Sequence, residues 1–552
     1  MSDLMPVKVR YGVPIPLRDG CLLSADIYLP PGVGPWPAIV LRTPYVKSSA
    51  RYRDRGLGWA RDGYAFVAVD VRGRGDSEGD FSPYRRDGED GYDVIEWAAG
   101  RDFCSGAVAT TGASYSARVQ WLTAPLRPPH LRAMIAMVSP SDTFVEFPTG
   151  VPSPMDISWY HMTSGRTMQD TDTADWMGIY GHLPLSAMDG ALGRDLPIWR
   201  EVLSHQTLDG YWRALSYQDR FDEVDVPVLH ISGWYDDEQI GTPRNFLGMV
   251  RAAHSEGSRQ SQHLLMGPWG HQVNGGTRLG EVEFGPSARI DLHEMERRFL
   301  DLHLRGQDVP PLSPVRIFTM GENAWRDLQS WPPAEMAQVP YYLRSGGSAN
   351  SRFGDGTLSE EAPGGDEPMD GYRYDPARPV PFLTDPTSSQ IGGPDDYAAV
   401  ERRDDVLCYT TPALARPLEL TGPLSLVLHV ATSAPDTDFM AKLVDVWPTG
   451  FCQRVSDGMV RLRYRDGFAQ AKPAKPGEII ELTIDLWNTS VVFGEGHAIR
   501  LEISSSAFPK YARNLNTGED LATSARMAVA EQRVYHDAHR LSRLILPVVP
   551  RD

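Results

Sequence analysis

In the first third of the chain, short apolar runs without polar alternation recur between helical patterns, and no other feature constrains the fold as much. The runs "PAIVLRTP", "YAFVAVDVRG", "VATTG" and "AMIAMVSP" are separated by stretches such as "WARDGY" and "DGEDGYDVIEWAAG". A strand that is apolar at every position is buried on both faces, and the helices between such strands are parallel crossovers. An α/β sheet follows. The same signal returns in "VPVLHISGWYD" and "QHLLMGPWGH", followed by the amphipathic "ARIDLHEMERRFLDLHLRG". The residues between, with "MDISWYHMTSG" and "PIWREVLSHQTLDGYWRAL", are aromatic, contain Met and suit helices, so they read as a cap inserted in the sheet.

Past residue 337 the period becomes two. In "EIIELTIDLW", Ile480, Leu482, Ile484 and Leu486 alternate with Glu481, Thr483 and Asp485, the pattern of a half-buried strand. "AIRLEIS", "LSLVLHVATS", "FMAKLVDVW" and "RLILPVV" extend it, which favours an antiparallel β-sandwich. The one helical candidate there is at 520–535, and 344–405, rich in Gly, Pro, Asp and Ser, reads as long connections with short strands. The expected division is an α/β domain at 1–142 and 226–336, a helical cap at 143–225 and an all-β domain at 337–552. At 552 residues the chain is too long for one core, and about 150 residues per domain is a fair guide.

With 54 Lys and Arg against 72 Asp and Glu, the net charge is −18, which repels nucleic acid and anionic membrane surfaces. A small molecule is the expected partner, and self-association stays open. "MSDLMPVKVRYG" has no apolar leader core, and no apolar stretch nears the roughly 20 residues of a membrane span, so the chain reads as cytoplasmic. Cys21, Cys104, Cys408 and Cys452 are far apart and suggest reduced thiols, while the scattered histidines show no metal-binding spacing. Neither metal nor cofactor is expected.

In "VATTGASYSARVQW", Ser114 stands at a small-residue bend between a strand and a helix. Ligands of such sheets sit beyond the carboxyl ends of the strands, where a nucleophile elbow belongs. Gly112, Ala113, Ser116 and Ala117 supply the small neighbours a sharp elbow demands, although Ser116 replaces the last glycine of G-x-S-x-G. An acid and a histidine should follow at the ends of later strands, and Asp236 and His271 do. His271 would take the Ser114 proton, Asp236 would orient the imidazole, and the backbone N–H of Tyr115 would receive the oxyanion. Tyr45, in the loop after "VLRT", either offers a second donor through its hydroxyl or packs at the edge of the core.

"RTPY", "DVRGRGDSEG", "GASY", "GWYD", "GPWGH", "DDVLCYTT", "DTDFMAKLVDVWP", "DGMVRLRYR" and "SSSAFPKYARNLNTG" together resemble the cocaine esterase and X-prolyl dipeptidyl peptidase superfamily, which includes α-amino acid ester hydrolases and glutaryl cephalosporin acylases. The resemblance implies an α/β-hydrolase domain, a helical cap and a C-terminal jelly roll. It also implies Ser114 as nucleophile, Asp236 as acid, His271 as base, and Tyr45 with the Tyr115 N–H as the oxyanion hole. Two residues depart from the pattern. Ala117 replaces the glycine of S-Y-x-G, and "GWYDDEQ" has Glu238 where cocaine esterases carry an aromatic. α-Amino acid ester hydrolases place a glutamate there in an acidic cluster, but their next acid is Gln239 here. Asp237 and Glu238 either enter the pocket or point into water from a loop. The cap contributes Trp159, Trp176, Trp199 and Trp212, with Trp159 the candidate for the pocket.

The resulting expectation is a serine hydrolase that forms an acyl-enzyme and acts on esters, or amides, of small carboxylic or α-amino acids. Acyl transfer to an amine, a dipeptidyl peptidase activity, and a non-catalytic sugar-binding or adhesive role are the alternatives.

Overall fold

The computed structural model describes residues 6–142, 150–384 and 392–551. The opening residues of the expected cap, 143–149, lie outside the described residues. The first strands are β1 (Lys8–Pro16), β2 (Leu22–Leu29), β3 (Trp36–Thr43), β4 (Ala65–Asp70), β5 (Cys104–Ala113) and β6 (Leu131–Met137). After the cap come β7 (Val228–Gly233) and β8 (Gln262–Gly267), a two-residue ribbon of β9 (Arg278–Leu279) and β10 (Val282–Glu283), then β11 (Val315–Thr319) and β12 (Ala324–Leu328). Ten of these form one sheet in the order β1-β2-β4-β3-β5-β6-β7-β8-β11-β12. Its centre, from β4 through β11, is parallel.

β4 shows why the apolar runs do not alternate. All six of its residues are buried. Val67 and Val69 pack into one core with Trp121 and Val94, while Phe66 and Ala68 pack into another with Trp59 and Phe299. Helices cover both faces: α1 (Ala50–Arg61) and α11 (Leu292–Arg305) flank the second core, and α2 (Asp87–Ala99) and α3 (Tyr115–Thr123) the first. Each such buried aliphatic side chain contributes about 1.5–3 kcal/mol. Two more helices, α9 (Gly241–Ala252) and α10 (Glu256–Gln260), separate β7 from β8.

Among the described residues, the cap holds five short helices, α4 (Asp156–Met162), α5 (Trp176–Tyr180), α6 (Met188–Ala191), α7 (Pro197–Ser204) and α8 (Gly210–Arg213). Its core is shared. Trp176, Trp199 and Tyr180 pack with Phe382, Met440, Met459 and Tyr511 from the C-terminal part.

That part is an eleven-stranded sheet folded as a jelly roll. Its strands are β13 (Ala337–Arg344), β14 (Thr357–Ser359), β15 (Asp370–Tyr374), β16 (Leu407–Thr410), β17 (Leu418–Thr432) and β18 (Asp438–Val446). They continue with β19 (Cys452–Arg461), β20 (Ile480–Phe493), β21 (Ala498–Ser504), β22 (Ala530–Tyr535) and β23 (Arg543–Val549). The helix expected at 520–535 does not form. Helix-forming Ala, Met, Arg and Glu are plentiful there, but Ala530, Gln532 and Val534 alternate inward with Glu531 and Arg533 outward in β22, between β15 and β17. Tertiary pairing overrides local propensity. The four cysteines are free thiols. Among the described residues no helix is long and apolar enough to cross a membrane.

Candidate active site

Ser114 caps α3 with φ 59° and ψ −126°, a left-handed conformation that a non-glycine residue adopts only when its surroundings hold it there. The hold is visible. Its N–H donates to the carbonyls of Met137 (3.0 Å) and Val138 (3.1 Å), and its own carbonyl accepts from Ala117 and Arg118. Gly112 is obligatory here, because a Cβ at that position would come within 2.5 Å of the Ser116 Cβ. Ala117 is fully buried and its methyl fits the core beneath the helix.

Asp236 and His271 lie in the loops after β7 and β8, neighbouring parallel strands. The His271 Nδ1 is 2.8 Å from Asp236 Oδ1, and the other Asp236 oxygen accepts from the Ser232 hydroxyl (2.6 Å). Gly233 lets the two loops meet, since a Cβ there would lie 2.1 Å from the Trp269 carbonyl oxygen. Burial pushes the Asp236 carboxyl up, and His271 opposes it.

The next two residues turn inward. Asp237 Oδ1 is 3.0 Å and Glu238 Oε2 4.0 Å from the same His271 nitrogen, and their side chains are only 14% and 13% exposed. Burial favours neutral His271, but Asp237, Glu238 and Asp236 outweigh it and raise the imidazole well above its usual range. Asp236, Asp237 and His271 also place ligand-type atoms within 4.8 Å of one another, a spacing accounted for by an ion-paired imidazole.

Ser114, His271, Asp237, Glu238, Tyr45 and Trp159 all line one cavity of about 700 Å³. Tyr45 Oη accepts the Trp159 indole N–H at 2.9 Å, and burial pushes this phenol up to about 12, so it keeps its proton. Tyr115 opens α3, where N–H groups have no intrahelical acceptor. Its ring stacks on Tyr84 and Trp159 of the cavity wall, and its hydroxyl donates to Asp87 Oδ2 at 2.6 Å. Trp212 also reaches the cavity wall, whereas Trp176 and Trp199 belong to the cap core.

Gln239 does not join the cavity. Fully buried, it donates to the Trp234 carbonyl (3.1 Å) and the Asn488 carbonyl (2.8 Å), and accepts from the Asn488 N–H (3.2 Å). β20 bulges there, with Trp487 at φ 66°. The loop bearing Asp236, Asp237 and Glu238 is thus clamped to the jelly roll, with Tyr235 Oη accepting from Gln453 (3.2 Å) beside it.

Sequence reasoning did not find Asp156, Arg51 or Arg55, all on the cavity wall. Asp156 opens α4 of the cap, and Arg51 and Arg55 lie on α1, so no spacing rule ties them to Ser114.

Two family models match: "X-Pro dipeptidyl-peptidase (S15 family)" over residues 19–273, and "X-Pro dipeptidyl-peptidase C-terminal non-catalytic domain" over 308–545. The cocaine esterase of Rhodococcus sp. (strain MB1 Bresler) is 35% identical, with 99% of each chain covered. Among solved structures, an α-amino acid ester hydrolase superposes with a TM-score of 0.88 at 27% identity, covering 99% of this chain and 97% of its own. An aminopeptidase from a marine sediment Thaumarchaeota archaeon gives 0.89 at 26% identity, covering 100% of this chain and 98% of its own.

Proposed function

From the premise that the chain belongs to the cocaine esterase and X-Pro dipeptidyl-peptidase superfamily of α/β-hydrolases and is a serine carboxylic ester hydrolase, we propose that it forms an acyl-enzyme on Ser114 and acts on esters of small α-amino acids. The observation that carries the acyl preference is the Glu238 carboxylate on the wall of the cavity that holds Ser114, with Asp237 and Asp156 on the same wall. An uncharged acyl group set against this cluster would strip water from the carboxylates without adding an opposing charge, whereas an ammonium group adds one.

In this reading His271 Nε2 takes the Ser114 proton as Oγ attacks the ester carbon. The Tyr115 N–H and the Tyr45 hydroxyl receive the oxyanion, and His271 returns the proton to the departing alcohol. Water then repeats the sequence on the acyl-enzyme. Asp236 keeps the imidazole oriented throughout.

The test compares kcat/KM for phenylglycine methyl ester and methyl phenylacetate, with Ser114→Ala as background and an Xaa-Pro anilide as the peptidase arm. The amino ester should lead. Glu238→Gln should cut its lead by about 10- to 150-fold, the worth of a hydrogen bond to a charged group at about 1.5–3 kcal/mol. A lead for the uncharged ester, or a ratio unmoved by the substitution, would refute the acyl assignment. Faster turnover of the anilide would favour the peptidase reading.

A further inference from the structure

One carboxylate is enough to orient a triad histidine. His271 has three, at 2.8, 3.0 and 4.0 Å from a single ring nitrogen, contributed by consecutive residues of one loop. The surplus charge is held close, because the His271 side chain is 19% exposed and that of Asp236 fully buried.

Among the described residues, the other groups on the cavity wall do not cancel this charge. Ser114, from the elbow after β5, and Tyr45, from the loop after β3, are neutral hydroxyls on the shared cavity wall. The cap adds Asp156 and His205, the first of them a further carboxylate. Of the two α1 arginines on the wall, Arg55 is paired with Glu296 at 3.0 Å, and Arg51 is exposed. Lys510 of the jelly roll acts on Asp237 electrostatically, but it is held by Asp457 at 2.6 Å. Three carboxylates at one ring nitrogen favour a proton on each nitrogen of His271 in the free enzyme. An imidazolium in that state cannot take a proton from Ser114.

Resting on the ammonium-anchor reading above, we propose that Asp237 and Glu238 couple substrate charge to the protonation of His271: docking of a substrate ammonium group against them is what frees the imidazole to act as base. The two cations compete for the same carboxylates, so binding of one and release of the other are linked. On docking, the Nε2 proton passes to solvent. As the bond from Ser114 Oγ to the acyl carbon forms, the hydroxyl proton moves to the vacated Nε2. The carbon–oxygen bond to the alcohol then breaks, and that proton leaves with the alcohol. An ester without the ammonium group meets a protonated His271, so discrimination is expressed in kcat as well as in KM. Asp237, beside the triad acid, becomes a specificity-determining residue.

Two pH profiles test this. The first is the inactivation rate of the free enzyme by an uncharged fluorophosphonate, which reports the base without help from a substrate cation. Its rising limb should lie above neutral pH and move down by at least one pH unit in both Glu238→Gln and Asp237→Asn. A limb in the usual imidazole range, unmoved by either substitution, overturns the proposal. The second is kcat for the two esters, with the amino ester's own titration measured separately and divided out. The uncharged ester's limb should lie at least one pH unit above the amino ester's, and the gap should close in both variants. Coincident limbs with a lower KM for the amino ester overturn the coupling and leave the anchor reading standing. Preference for the uncharged ester at every pH overturns both.

Discussion

Tyr45→Phe isolates the less conventional half of the proposed oxyanion hole. The Trp159 indole N–H occupies one lone pair of the Tyr45 oxygen at 2.9 Å and leaves the O–H free to donate into the cavity. Burial holds this phenol at about 12, so it remains a donor across the working range. The substrate carbonyl is neutral before attack and anionic after it, so the hydrogen bond strengthens as the barrier is climbed and should register in kcat. Loss of one such donor costs roughly 2.7–4 kcal/mol, or about a hundred- to a thousandfold in kcat. Phenylalanine keeps the ring, so KM should change little. It also strips the indole of its acceptor, at about 1–3 kcal/mol of stability. Trp159→Phe serves as the control, because it removes the partner, spares the O–H and should cost less than tenfold in kcat. Steady-state turnover of p-nitrophenyl acetate, normalised to sites titrated with a fluorophosphonate, measures both variants. A Tyr45→Phe enzyme with kcat within threefold of the parent would refute the assignment.

Gln239→Glu tests the clamp on the acid loop. If Gln239 holds the β20 bulge as found, a carboxylate there faces the carbonyls of Trp234 and Asn488, and the variant should melt at lower temperature without gaining preference for amino esters. An unchanged melting temperature with a stronger preference would place this side chain in the substrate cavity instead. A pH effect on stability is expected from the jelly roll, where His536 lies 2.9 Å from Asp370 and 3.2 Å from Glu367. Burial lowers the His536 imidazole, but the two carboxylates more than compensate and leave it raised. Its contribution is therefore fully present below the unfolded imidazole range and is lost as pH rises through the folded value. His536→Asn should flatten the fall in melting temperature as pH rises above the unfolded imidazole value of about 6.5; an identical slope would show that the histidine is not charged there.

The sheet was legible because burial on both faces leaves a direct trace in composition. Phe66 and Val67 point to opposite cores, and both had to be apolar. The candidate triad was legible because such a fold carries these residue types after strands in chain order, here β5, β7 and β8. Residues 520–535 were not. The choice between helix and strand there depends on β15 and β17, strands more than 90 residues away in sequence. The orientation of "DDEQ" was equally hidden. Four polar residues in a loop read the same whether they face water, a histidine or another domain, and here Asp236, Asp237 and Glu238 face His271 while Gln239 faces Asn488.

That division bears on how specificity can change in such a molecule. The elbow is tightly constrained: Gly112 admits no side chain, and Ser114 is held in a conformation few residues tolerate. The acid loop obeys a looser rule, needing Asp236 at His271 and Gln239 on the jelly roll, with two positions between them that only fill space and set charge. Substitution at 237 and 238 should therefore alter the preferred acyl group while leaving the fold intact. Asp237→Asn combined with Glu238→Phe is the sharpest form of this expectation. It should melt within a few degrees of the parent, label with a fluorophosphonate and turn over the uncharged ester faster than the parent does. A double variant that folds and labels yet still prefers the amino ester would locate the ammonium site elsewhere on the cavity wall, with Asp156 of the cap the first residue to replace.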